Sequence, residues 1–360
     1  MKRQSSVKVG FLPNSNDFTH PQDRRRYVPF LSKLGIDPEI ADFSKHYDVL
    51  YISLNCDLNQ WAGYKRHHSP KKTKIILDLS DNYLADSYFN SVIRSLAHFI
   101  FRRTIHFVWD YRVSIQNILD ITDLVTVGSL EQQSQIACYH DNVIVIRDYF
   151  ADDVLDEPLK KVREPNSSVN ILWEGFSHGC LPIFHQLREI VSSFDSDFGE
   201  INLHVVSDSK ICGLMGKFFC RGTEKALVSL FKGSIVNVHF YEWTILNLNI
   251  AASNSDFAII PIPAKPLMRS KPENKLLLFW SLGLPVLVSD TPSYTRVMRD
   301  SGNVDCALNA PEEWSVMISE FAKSRAKRDS NLKAGLRYID DRISYDVMME
   351  SWRDILHHDE

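Results

Sequence analysis

Apolar and polar positions divide this chain into two halves with the same rhythm. Short apolar runs recur through the first half: Val7–Leu12 (VKVGFL), Tyr47–Leu54 (YDVLYISL), Lys74–Leu79 (KIILDL), Leu124–Val127 (LVTV) and Asn142–Ile146 (NVIVI). They are rich in Val and Ile and mostly continuous, as strands covered on both faces are. The segments between them, Arg24–Leu34, Ser87–Phe101 and Gln132–Cys138, are long enough for helices. Strand alternating with helix predicts a parallel sheet. From residue 151 the chain turns polar and proline-punctuated, which predicts an N-terminal domain over 1–155 and a linker over 156–168. The rhythm then restarts with strands at Val169–Trp173, Ile201–Val206, Val236–Tyr241, Asp256–Pro261 and Leu284–Ser289. Helices are expected at Leu181–Val191 and Asn274–Ser281, in a second domain over 169–340. Over 341–360, Val347, Met348, Trp352, Ile355 and Leu356 stand at helical spacing and predict a closing helix that packs back towards the N-terminal domain. The fold class is therefore α/β, two Rossmann-like, doubly wound parallel-sheet domains facing a cleft, with ligands beyond the carboxyl ends of the strands.

Composition narrows the function. A length of 360 residues suits two domains, each able to bury a core. The net charge of −4 argues against a nucleic-acid binder and leaves room for a local basic pocket. The six cysteines, at 56, 138, 180, 212, 220 and 306, form no C-x-x-C pair, so buried reduced thiols of a cytoplasmic protein are the expectation. The N-terminus has charge but no apolar core of an export signal, and no run approaches the ~20 apolar residues of a spanning helix. P-loop, G-x-S-x-G and dinucleotide fingerprints are absent.

One segment carries specific chemistry: Ser270-Lys271-Pro272-Glu273-Asn274-Lys275-Leu276-Leu277-Leu278-Phe279-Trp280-Ser281-Leu282-Gly283-Leu284-Pro285-Val286. Asn274 and Lys275 open a helix, where free N–H groups and a lysine both favour phosphate. Gly283 and Pro285 turn the chain from helix into a buried strand. The segment resembles the donor-site signature of the nucleotide-sugar-dependent GT-B glycosyltransferases. Val169–Gly175 resembles that family's strand-to-glycine loop. The stretch from Val238 to Trp243 resembles its element near the nucleotide base, and Asp256–Pro261 its strand upstream of the lysine. The resemblance is specific over residues 169–300 and architectural before them. It implies a glycosyltransferase moving sugar from a nucleotide-sugar donor to a glycan or lipid-linked glycan, in bacterial surface polysaccharide synthesis. It implies a donor site at Gly175, Phe176, Ser177, His178, Glu242, Trp243, Arg269, Lys271, Asn274 and Lys275, with no cofactor and no metal. The chain departs from the pattern at Leu278, where many members carry a ribose-binding Glu, and at Ser270, eight positions earlier, where no acid stands.

A base for an inverting transfer is sought among carboxylates of the N-terminal domain. Asp81, after the buried strand Lys74–Leu79, and Asp23, in a polar loop ahead of three arginines, are the candidates; each has an ordinary alternative as a helix N-cap. Arg24, Arg25 and Arg26 read as a solvated helix face or as a site for a phosphorylated acceptor or lipid head group. The helix around Ser91–Arg103 reads as a core helix with a basic end, or as a peripheral contact with the inner face of a membrane. Asp195-Ser196-Asp197 matches a D-x-D metal motif by chance, as it follows a helix, and His67-His68 and His357-His358 read as surface pairs. Two other readings stand beside the transferase: an epimerase or hydrolase on the same frame, and a non-catalytic subunit that has kept the fold.

Overall fold

The computed structural model describes residues 7–69, 72–101, 103–155, 168–176, 181–192, 200–212, 220–263 and 269–356. They form two compact units. The first runs to Tyr149 and takes in Ser270–Pro272 and the chain from Ile343; the second holds Phe150–Arg269 and Glu273–Arg342.

The first unit is built on six parallel strands: β1 (Val9–Leu12), β2 (Glu39–Ile40), β3 (Val49–Ser53), β4 (Lys74–Leu79), β5 (Leu124–Val127) and β6 (Val143–Val145), in the order β2-β1-β3-β4-β5-β6. Every residue of β3 and all of β4 after Lys74 are buried, which is why these runs do not alternate. One face packs Leu50, Ile52, Ile75, Leu77 and Val125 against Trp61, Ile115 and Ile118. On the other, the helix Tyr345–Leu356 brings Trp352 to ring distances of 6.1 Å from Tyr27 and 5.7 Å from Tyr51.

The helix expected over Arg24–Leu34 is two short ones, Pro21–Arg26 and Val28–Leu31. Pro29 has no N–H to give to Arg25, four residues back. The released Arg25 carbonyl instead accepts the Tyr149 N–H at 2.7 Å. Of the three arginines Arg26 is not part of a solvated face: it is buried, 2.8 Å from Asp78 and 3.5 Å from Asp148, and donates to the Ile146 carbonyl at 2.8 Å, while Arg24 and Arg25 are half-buried. Nor is the helix Tyr88–Ile100 a core helix, because its buried residues are Ser91 and Ser95 while Phe89, Phe99 and Ile100 are exposed.

The second unit repeats the plan with β7 (Ser168–Glu174), β8 (Glu200–Ser207), a small antiparallel pair β9 (Lys210–Ile211) and β10 (Arg221–Gly222), then β11 (Val236–Glu242), β12 (Phe257–Ile260), β13 (Val286–Ser289) and β14 (Ala307–Leu308). Its main sheet is parallel, in the order β11-β8-β7-β12-β13-β14. The β9–β10 pair is closed by a disulfide between Cys212 and Cys220, which corrects the expectation of reduced thiols throughout. Cys56, Cys138 and Cys306 are free thiols. Most of the linker expected over 156–168 lies outside the described residues, as do Asp195, Ser196, Asp197, His357 and His358. Among the described residues no helix is long and apolar enough to cross a membrane.

Helix Arg325–Ile343 lies against helix Asn274–Ser281 with a glycine at the crossing. A Cβ on Gly335 would stand 2.2 Å from the ring of Trp280, which is fully buried and donates its indole N–H to Asn331 at 3.3 Å. Helix propensity favours alanine over glycine by about 1 kcal/mol. Overpacking a filled core costs about 1–3 kcal/mol, and here the obstacle is a locked indole. Gly335→Ala is therefore expected to lower stability on urea unfolding; a gain would mean that the two helices separate freely.

Candidate functional site

In an open parallel sheet, ligands bind beyond the carboxyl ends of the strands where the strand order reverses. In the second unit that point lies between β7 and β12, which pair through Phe257–Ile171 and Ala258–Leu172. β7 ends there on Trp173 and Glu174, and Gly175 follows directly. The three neighbouring strand ends are tied together. Gly175 N–H donates to the Val206 carbonyl at 3.1 Å, the Ser207 hydroxyl donates to the Gly175 carbonyl at 2.6 Å, and Trp243 N–H donates to the Ser207 carbonyl at 2.9 Å.

Lys275 reaches this point from the first turn of helix Asn274–Ser281. Its ammonium donates to the Glu174 carbonyl at 2.7 Å, stands 3.6 Å from the Glu174 carboxylate and lies 5.4 Å from the centre of the Trp173 ring. The Glu174 carboxylate, nearly buried, also accepts the Trp243 indole N–H at 2.9 Å. A Cβ on Gly175 would come within 2.6 Å of the lysine nitrogen and 3.0 Å of Trp173. The ammonium lies across the Gly175 backbone, and a Cβ there would push the lysine aside and press on the Trp173 ring. The Lys275 side chain keeps about a third of its surface exposed, so its charge remains available to a second anion.

A second layer holds the helix start. Glu273, fully buried, accepts from Arg296 at 2.9 Å, and Arg296 lies 3.4 Å from the Tyr338 hydroxyl. Burial first, then the negative fields of Glu273 and Glu174, push the Tyr294 phenol up, so it stays a neutral hydroxyl at physiological pH.

The expected donor residues fall into groups. Gly175, Trp243 and Lys275 are brought together, with Phe176 beside them on the exposed side of the loop. Asn274 opens the helix that carries Lys275. Glu242 turns its side chain to solvent and contributes its carbonyl, which accepts from Asn247 at 2.8 Å. Lys271 stands in the short segment that groups with the first unit, and Arg269 is half-buried at the end of the second unit's segment. Ser177 and His178 lie outside the described residues. Leu278 is buried, so the position where the family pattern has an acid serves packing. Glu174 and Ser207 were missed; the visible signal for Glu174 was a buried strand ending on a carboxylate.

In the first unit neither acidic candidate is an N-cap. His20 caps helix Pro21–Arg26, accepting from Gln22 N–H through Nδ1 at 3.3 Å, and Ser87 caps Tyr88–Ile100. Asp23 lies within its helix, fully buried, and takes hydrogen bonds from Asn14 N–H, the Asn14 side chain, Ser15 N–H and the Tyr27 hydroxyl at 2.9–3.0 Å. Three of these bonds hold the loop after β1, and the fourth ties Asp23 to Tyr27 at the end of its own helix. Asp81 is half-exposed beyond the end of β4 and accepts from the Tyr83 hydroxyl at 3.1 Å. Among the described residues no cluster of three or more His, Cys, Asp or Glu is placed to hold a metal.

Two six-stranded parallel sheets, each with flanking helices, make the fold that of the GT-B glycosyltransferases. Among solved structures, the chain is similar to WaaG, a glycosyltransferase involved in lipopolysaccharide biosynthesis, with a TM-score of 0.58 and 15% identity over 98% of this chain and 100% of that one. It is similar to a TarM variant of S. aureus solved with fondaparinux, alpha-GlcNAc-glycerol and UDP, with a TM-score of 0.53 and 10% identity over 86% of this chain. There it spans 55% of the TarM chain. It is also similar to an E. coli trehalose-6-phosphate structure bound with UDP-2-fluoro glucose, with a TM-score of 0.55 and 11% identity over 86% and 72% of the two chains. No family model and no curated protein sequence matches the chain.

Proposed function

We propose that this chain is a glycosyltransferase that takes a sugar from a nucleotide-sugar donor and passes it to a glycan or lipid-linked glycan, as in bacterial surface polysaccharide synthesis. The observation that carries the reading is the Lys275 ammonium lying across Gly175 at the reversal point of the second sheet. A donor diphosphate needs a cation and a backbone without a Cβ at the same place, and both are there. The start of helix Asn274–Ser281 adds oriented N–H groups, and its dipole favours negative charge. Trp243, fixed by Glu174, offers an aromatic edge beside the strand ends. For the base we infer Asp81 rather than Asp23, because Asp81 keeps exposed acceptor capacity and Asp23 has none to spare.

The test is a thermal-shift panel of UDP, GDP, ADP, CMP and dTDP on the whole chain. A nucleotide at a hundred times its Kd adds about 2.7 kcal/mol of apparent stability. One member of the panel is expected to raise Tm clearly above the others. A flat panel at millimolar concentration would overturn the donor reading and favour the non-catalytic one.

A further inference from the structure

The two main sheets have four edges, and three of them are short. β2 and β14 have two residues each and β6 has three, while β11 has seven. Short edge strands prevent unwanted pairing, as do prolines, bulges and lysines placed on the edge. β11, with the sequence VNVHFYE, has neither proline nor lysine. Trp243 N–H donates to the Ser207 carbonyl, which sets the alternation along the strand. Asn237, His239 and Tyr241 therefore bond to β8, and Val238 and Phe240 direct N–H and C=O away from the sheet. Among the described residues no strand pairs with that edge. The edge is also held ready. The Asn237 side chain donates to Glu200 at 2.8 Å, and His239 Nε2 donates to Asn202 at 3.0 Å. The His239 ring stacks on His204 with centres 4.9 Å apart, and the Tyr241 hydroxyl lies 3.1 Å from His204 Nδ1. One row of the strand's side chains is thus fastened to the strand behind it, so pairing would cost little further ordering.

Charge along the strand selects the partner. Lys232 stands shortly before β11 and Glu242 ends it, and both are exposed. A second copy of the strand laid antiparallel brings each lysine to the other's glutamate, at both ends of the pair. A parallel copy in register would set like charges together. An antiparallel strand beside a parallel sheet is an ordinary arrangement. Apolar side chains stand exposed on the segments that flank β11. Val228, on the preceding helix Thr223–Leu230, is 58% exposed, Ile235 59%, and Leu246, on the following helix Ile245–Ser253, 57%. We propose that two copies of this chain pair through β11 across a two-fold axis, which joins their second-unit sheets into one. The main chains of Val238 and Phe240 close the hydrogen bonds, and Lys232 and Glu242 fix the direction. The pairing does not depend on the donor reading, since main-chain groups carry it.

The test is analytical ultracentrifugation of the whole chain over a wide range of concentration, with hydrogen exchange read on the same samples. A monomer–dimer equilibrium is expected, and exchange at the Val238 and Phe240 amides should slow as the dimer forms. Val238→Pro removes an outward N–H that β8 does not use, and should give a folded monomer with unchanged circular dichroism. Lys232→Glu and Glu242→Lys should each weaken self-association about tenfold, because like charges then meet at both ends of the pair. Mixed together, the two variants place opposite charges at both ends and should pair as tightly as the parent chain. These surface substitutions keep the test decisive if Val238→Pro does not fold. A chain that stays monomeric at every concentration overturns the proposal. So does a dimer in which the Val238 and Phe240 amides exchange as fast as in the monomer. Charge variants that weaken singly and do not recover on mixing overturn the antiparallel pairing.

Discussion

Replacing Arg26 by methionine is expected to lower the unfolding free energy by about 3–5 kcal/mol, the cost of leaving buried carboxylates without their cation. Arg26, Asp78 and Asp148 are each almost fully buried. Burial works against the Arg26 charge, but Asp78, Tyr51 and Asp148 outweigh it and hold the guanidinium above its ordinary value. Burial pushes both carboxylates up, and Arg26 opposes the shift. The sign of the pH dependence follows. A carboxyl raised in the folded state favours folding when protonated, so its contribution falls as pH rises through the folded value. Without Arg26 both carboxylates rise further, so the loss is largest at neutral pH and shrinks towards pH ~4. Urea unfolding of both proteins at the two pH values checks this. An equal deficit at both would mean that lost packing, not charge, dominates.

Lys275→Ala is expected to weaken binding of the selected nucleoside diphosphate about 10- to 100-fold, the loss of one charge-assisted hydrogen bond to phosphate. Unliganded stability should hardly change. The lysine is part-exposed, its pair with Glu174 is long, and Glu174 keeps the Trp243 indole as a donor. Isothermal titration separates the two quantities. Unchanged affinity with an unchanged fold would remove Lys275 from the donor site. Loss of Tm without ligand would show that the lysine mainly ties helix Asn274–Ser281 to β7.

The architecture could be read at the level of strands because buried parallel strands leave continuous apolar runs. All of the expected strands are present, including VNILW ahead of Gly175 and the short LVTV of β5. The elements that were missed lack such a run. β2 and β14 have two residues each, and helices Pro311–Lys323 and Arg325–Ile343 lie in a stretch rich in charge. Burial of individual polar residues was not legible either. Asp23 and Arg26 sit among Asp, His and Arg in a stretch that looks solvated. Their partners, Asn14 and Asp78, come from other segments. The same holds for Cys212 and Cys220, where spacing alone did not suggest a hairpin bringing the sulfurs together.

By itself the sequence determined the alternation of strand and helix, the repeat of that plan in two halves, the helix-opening lysine and the glycine that follows the first strand of the second half. These are local properties, set by periodicity, by proline and glycine, and by residues close in the chain. Only the tertiary structure decided which charges meet. It set Glu174 beside Trp243 and Lys275, withdrew Asp23 into its loop, buried Arg26 between two aspartates and turned the apolar face of helix Tyr88–Ile100 outward. An amphipathic helix has the same pattern whichever way it faces, and a carboxylate shows its role only through the donors that distant segments bring to it.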